Sequence, residues 1–201
     1  MTISFNPALT TSPQNTFLLQ TEGYVQGNYF DDPSTKNWLL SGVVGSSVTQ
    51  PMWGGLAIEE TVAQVNANAL GSSITPAASA GTVTGFTVFN QSNNMLLVPG
   101  NNVQQAVAGM TMAYFRTGSN ARIAVSCLAS LVASLEGGAV NQTLYWDPVL
   151  FQLTASGTSG AFALPSTTRI ISFNSNSKIV SYNSGTGALT WTTGSAAIIQ
   201  I

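Results

Sequence analysis

The chain has 201 residues and a formal net charge of −2, and only 6% of its residues are charged, far below the roughly 25% usual for soluble proteins. It has no histidine, which removes the commonest general base, every Ser-His or Cys-His pair and most catalytic zinc sites. Lys36, Arg116, Arg122, Arg169 and Lys178 are scattered singly, so no basic stripe offers itself to nucleic acid, and no apolar run approaches the roughly 20 residues of a membrane span.

Polarity supplied by Gly, Ser, Thr, Asn and Gln without charge lacks the like-charge repulsion that keeps monomers apart, so this surface reads as one that other protein covers. The alternative is an ordinary neutral extracellular β-protein. The N-terminus MTISFNPALT has neither a charged n-region nor an h-region, which predicts synthesis in the cytoplasm without a classical export signal. Cys127 is the single cysteine. It falls on the apolar face of a strand pattern, which predicts a buried structural thiol and no internal disulfide.

Residues 1–20 read as an extended arm, with Phe5, Leu9, Phe17 and Leu18 isolated among Pro, Ser, Thr and Asn. Such a segment has no pattern with which to bury its own anchors and orders by lying on something else; the alternative is a disordered tail. Residues 21–201 read as one β-rich domain. The stretch 22–37, with its aromatics, glycines and an Asp-Asp-Pro turn, is a loop-rich approach to a short strand over 38–44 and a turn at Gly45-Ser46-Ser47. Met52 and Trp53, ahead of Gly54-Gly55, either plug the domain's core or present an anchor to a neighbour.

Over 58–68, Ile58, Val62, Val65 and Ala69 stand at helical spacing with Glu59 and Glu60 in the first turn, which predicts a helix. The Ser, Thr, Pro, Ala and Gly tract 71–81 reads as a loop. Strands are predicted over 82–90 and 94–98 as a hairpin, then over 110–116, 121–127 and 140–146 as a meander. Residues 103–108 are ambiguous, and 128–135 fit a helical turn and a continued strand equally. The last fifty residues carry short strands at 151–154, 169–173, 179–182, 188–192 and 196–201. This is a mainly β chain: an antiparallel sandwich or barrel-like domain of many short strands with an N-terminal arm.

The seven acids are the remaining candidates for chemistry. Asp31-Asp32 and Glu59-Glu60 are adjacent pairs, and neighbours on a strand point to opposite faces, so neither forms a two-carboxylate site alone. Asn28 to Asp32 offers oxygen ligands without calcium-loop spacing, and the Gly pairs lack a phosphate-loop setting. No enzyme, cofactor or metal site is therefore expected. Tyr24, Tyr29, Trp53, Trp146 and Trp191 keep a carbohydrate-binding or host-adhesion module as the alternative, since aromatic rings stack on sugars.

The segments YVQGNYFDDP, QPMWGGLAIEE, TGFTVFNQ, ARIAVSCLASLVASLEGGAV and LYWDP resemble structural proteins of tailed bacteriophages, of the capsid cement or decoration type. The resemblance spans Glu22 to Pro148 and is most specific at PMWGG and at the GGAV and YWDP couple. It implies a mostly β domain, commonly trimeric, on the virion's capsid surface, bridging neighbouring copies of the major capsid protein. Phe5, Leu9, Phe17, Leu18, Met52 and Trp53 are the candidate interface residues.

Overall fold

The computed structural model describes residues 23–30, 37–62, 71–90, 103–135 and 142–201. Five strands close into a barrel: β1 (Leu40–Val44), β2 (Ala57–Val62), β3 (Ser72–Pro76), β4 (Gly85–Val88) and β5 (Thr111–Arg116), in the order β1-β3-β2-β4-β5. The β1 and β3 pair is parallel and the other four are antiparallel. Register partners share a face. Following the partners around the barrel therefore sends Val44, Ile58, Ile74, Thr87, Met112 and Tyr114 inward, and all six are buried. The lumen is narrow. A Cβ on inward-facing Gly42 would lie 2.7 Å from Ile74 Cγ2 and 3.2 Å from the Tyr114 ring, so only glycine leaves room there.

The outer face of β4 and β5 is covered as well. Phe86, Val88, Ala113 and Phe115 are buried, with Phe86 edge-on to Trp146 at 5.7 Å and Phe115 edge-on to Tyr29 at 5.3 Å. Two three-stranded sheets complete the fold. One has the order β10-β11-β6, from β6 (Arg122–Ser126), β10 (Arg169–Asn183) and β11 (Ala188–Gln200); the other is β8-β7-β9, from β7 (Tyr145–Asp147), β8 (Gln152–Thr154) and β9 (Phe162–Ala163). A single α-helix among the described residues, α1 (Ala129–Leu135), follows β6. It settles the open reading of 128–135, and Leu131 and Val132 are buried on it.

Residues 23–30 are the joint of the molecule. The Lys178 N–H donates to the Tyr24 carbonyl and the Gln26 N–H to the Lys178 carbonyl on β10, while the Gly27 and Phe30 N–H groups donate to the Ala124 and Arg122 carbonyls on β6. One short segment thereby ties together the two outer strands of a sheet. Its Gly27 meets Gly54 back to back, since a Cβ on Gly54 would lie 2.8 Å from Gly27 Cα and equally close to the Phe89 ring. The YVQGNYF and PMWGG stretches are thus two sides of one contact.

Several sequence expectations are corrected. The helix over 58–68 is strand β2 as far as Val62, and the remainder lies outside the described residues. The loop at 71–81 contains strand β3 before a short 3-10 turn at Ala80–Thr82. The meander does not form: β5 pairs with β1 and β4, β6 with β11, and β7 with β8 and β9. The strand over 140–146 is reduced to β7, with Gln142 to Leu144 irregular and 140–141 outside the described residues. Four short C-terminal strands are instead two long ones, β10 and β11, paired as a hairpin with register shifts between Ile170 and Ser172 and between Asn174 and Ser177. The arm 1–20 and the 94–98 half of the hairpin lie outside the described residues.

Candidate interaction surface

Of the six candidate interface residues, Phe5, Leu9, Phe17 and Leu18 lie outside the described residues. Met52 and Trp53 are 0% and 1% exposed, so they plug the core and are set aside as anchors for a neighbour. Trp53 packs against Phe151 at 5.2 Å and Tyr182 at 5.5 Å between ring centres, and its carbonyl accepts from Thr87 Oγ1 at 2.7 Å. The loop carrying Trp53 is thereby pinned to inward-facing Thr87 of β4.

Another part of the barrel interior carries the chain's one strongly interacting charge cluster among the described residues. Glu60 faces inward on β2 with its side chain only 4% exposed. Its Oε1 accepts from Tyr114 Oη at 2.7 Å and from Arg116 Nη2 at 2.5 Å, its Oε2 from Arg116 Nε at 2.6 Å, and Ser72 Oγ adds a further short hydrogen bond. The Arg116 hydrogen bonds, against the opposing effect of burial and with help from Ser72 and Tyr114, hold the Glu60 carboxyl down at about 2. Burial and the Glu60 hydrogen bond raise the Tyr114 hydroxyl above its ordinary value. This fork joins three strands, and Glu59 on the opposite face takes no part in it. A carboxylate held this firmly ionised is a poor proton donor, and the arrangement acts as a lock on the barrel.

Among the described residues no group of three or more His, Cys, Asp or Glu side chains is placed to hold a metal, and no helix is long and apolar enough to cross a membrane. The Cys127 thiol is buried, and burial pushes it up to about 12. The aromatic rings that suggested sugar stacking are each engaged with protein: Tyr24 with Phe30, Tyr29 with Phe115, Trp53 and Trp146 in the core, and Trp191 edge-on to Phe89. Lys178 Nζ also sits 5.6 Å from the centre of the Trp191 ring.

Several large apolar side chains are nonetheless exposed among the described residues. Trp38, two residues before β1, is 61% exposed, and Val62, at the end of β2, is 64% exposed; register places both strand ends at the same rim of the barrel. The turn joining β7 to β8 shows Val149 and Leu150 at 74% and 63% exposure. That turn is built to hold its shape. Buried Asp147 accepts the Val149 and Leu150 N–H groups on Oδ1 at 2.8 and 3.0 Å, Pro148 fixes its own backbone, and Phe151 adopts φ +54°. A bulky residue in the left-handed region costs about 1 to 2 kcal/mol, which the Phe151 ring offsets by packing on Trp53 and Tyr182. Sequence reasoning read Asp147-Pro148 only as the end of a strand; the signal for the knob was the apolar Val149-Leu150 pair directly after that turn. Compared with protein-family models, curated proteins and solved structures, the chain finds no match in any of the three.

Proposed function

We propose that this chain is a non-catalytic structural protein of a virion, a capsid decoration protein. In this reading it binds the capsid exterior as a homotrimer and bridges neighbouring major capsid subunits. The observation that carries the reading is the β7 to β8 turn, which spends a buried carboxylate and a strained backbone on presenting two large apolar side chains to solvent. Strain of this kind accumulates where a surface has a task, and exposed apolar side chains on a nearly uncharged surface are what a protein partner covers. The barrel rim with Trp38 and Val62 adds a second patch of the same character. The segments that resemble decoration proteins also find structural employment here: YVQGNYF and PMWGG make the central joint, and YWDP makes the base of the knob. A carbohydrate-binding module is the weaker reading, because the rings that would stack on a sugar already pack on protein.

The test is co-sedimentation of the purified protein with capsids that lack it. Saturable binding that raises the temperature of capsid rupture is the expected result. Failure to sediment with capsids, or binding that leaves rupture unchanged, overturns the proposal.

A further inference from the structure

The knob has a neighbour. Phe151, which closes the β7 to β8 turn, packs ring to ring on Tyr182 at 6.2 Å, and Trp53 lies against both at 5.2 and 5.5 Å. Tyr182 is the last ring of β10 before the tip of the long hairpin, Asn183 to Ala188, and every residue of that tip is exposed. Three rings therefore join two turns that are distant in the chain. The tip stands clear of the third strand of its sheet, since β6 ends at Ser126 opposite Ala196 while β10 and β11 continue as a ladder from Ile179 with Thr192 to Asn183 with Ala188. It is also held in shape. Asn183 Oδ1 accepts the Gly185 and Thr186 N–H groups at 2.9 and 3.2 Å, and the Gly187 N–H donates to the Asn183 carbonyl at 2.8 Å. Asp147 holds the knob by the same device, one side-chain oxygen taking two successive N–H groups.

We infer that the knob and the hairpin tip are one interface, and that it fits a protein surface with an apolar socket for Val149 and Leu150 beside uncharged hydrogen-bonding groups for Ser184 and Thr186. The capsid reading supplies the identity of that partner, and the inference rests on it. Charge sets the class of surface. No Asp, Glu, Lys or Arg occurs in residues 148–168 or 179–201, so both turns are uncharged, and a charge on the facing surface would be desolvated without a partner. Nucleic acids and anionic membranes, which attract through charge, do not suit such a face. Shape is set before contact, because both turns are tied by their own side chains, and a surface that needs little ordering keeps more of its contact energy as affinity. The tip supplies what the knob lacks. Its hydroxyl groups stand beside an apolar centre, as the polar rim of a protein interface stands around its apolar core.

Ser184→Lys, Ser184→Glu and Leu150→Lys in the full chain are compared with the parent for binding to capsids that lack the protein, at low and at high salt. Ser184 is exposed, so its variants should melt with the parent. The expected result is that both Ser184 variants lower the affinity by roughly tenfold whichever sign of charge they carry, and that the parent's affinity changes by less than about twofold between about 0.05 and 0.5 M salt. If the Ser184 variants bind as the parent does while Leu150→Lys is weakened, the tip is no part of the interface and only the capsid reading stands. Binding that one sign of charge strengthens, or that salt weakens severalfold, means a charged facing surface and overturns the inference. A parent that does not bind capsids at all overturns the capsid reading and this inference with it. Two other occupants would show themselves in the same variants: loss of the protein's own oligomer by light scattering assigns the face to a second copy, and loss of binding to phosphatidylcholine vesicles assigns it to a lipid surface, and either overturns the inference.

Discussion

At the scale of single residues, polarity inside the molecule is spent on holding strands together. Glu60 is the clearest case, because its folded carboxyl lies at about 2 while an unfolded one lies near 4.3. A group whose folded value is depressed contributes stability above the unfolded value and loses it as pH falls toward the folded one. The unfolding temperature should therefore drop between about pH 4.5 and 2 as this contribution is lost. In Glu60→Gln, which keeps the shape and removes the charge, stability at neutral pH should fall by about 1 to 3 kcal/mol, and that acid-dependent part of the profile should flatten. A melting series across this window in both proteins checks it; parallel profiles would mean that Glu60 is not the group titrating. Gly54 gives a second residue-scale test. Its absent side chain is what lets Gly27 approach, with a prospective Cβ contact of 2.8 Å to backbone, so Gly54→Ala should cost about 1 to 3 kcal/mol as overpacking. Chemical denaturation that finds this variant as stable as the parent would remove the close contact from the account of the joint.

At the scale of elements, the β7 to β8 turn makes a prediction of its own. Asp147→Ala leaves two N–H groups without their acceptor and should destabilise the protein by about 1 to 3 kcal/mol, with faster amide exchange at Val149 and Leu150 as the local signature; unchanged exchange there would show that Pro148 and Phe151 hold the turn unaided. Elements also show where the sequence was legible. Strands β1, β4, β5 and β6 announced themselves through β-branched and aromatic runs bounded by turns. Strand β2 did not, because its inward positions are Ile58, Glu60 and Val62: a carboxylate in the middle erases the two-residue alternation and leaves Ile58 and Val62 at helical spacing. Its partners Ser72, Tyr114 and Arg116 are distant in sequence, so nothing local reveals why Glu60 is tolerated inside. Strand β3 needs only Ile74 to fill a narrow lumen, and the Ser and Thr around it read as loop. In β10 the register shift between Asn174 and Ser177 falls in the polar run Asn174-Ser175-Asn176-Ser177 and interrupts the alternation there, which makes one long strand look like two. The knob was hidden for a different reason, since exposure of Val149 and Leu150 follows from the fold around the turn and not from the residues themselves.

At the scale of the whole molecule, the barrel and the two sheets share one core through Trp53, Phe86, Phe115 and Trp146, so the outward apolar residues are not needed to hold the domain together. That separation lets stability and assembly be tested independently. The trimer expected of a decoration protein should appear by light scattering at micromolar concentration, and a monomeric mass throughout would remove self-association from the proposal. The sharper test is Leu150→Lys. The position is 63% exposed, and surface substitutions away from buried features change stability by only about 0.5 kcal/mol, so melting and exchange should match the parent. If the knob is an anchor, a charge there must be desolvated on binding, and one anchor of this kind is worth about 2 kcal/mol or more, a loss compounded where several copies bind one lattice. Capsid binding should then fall by more than roughly tenfold while the fold is untouched. The same substitution at Ile171, exposed on β10 and remote in sequence from the turn, provides the comparison: if Ile171→Lys weakens capsid binding and Leu150→Lys does not, the binding face belongs to the hairpin and the turn is merely a well-held corner.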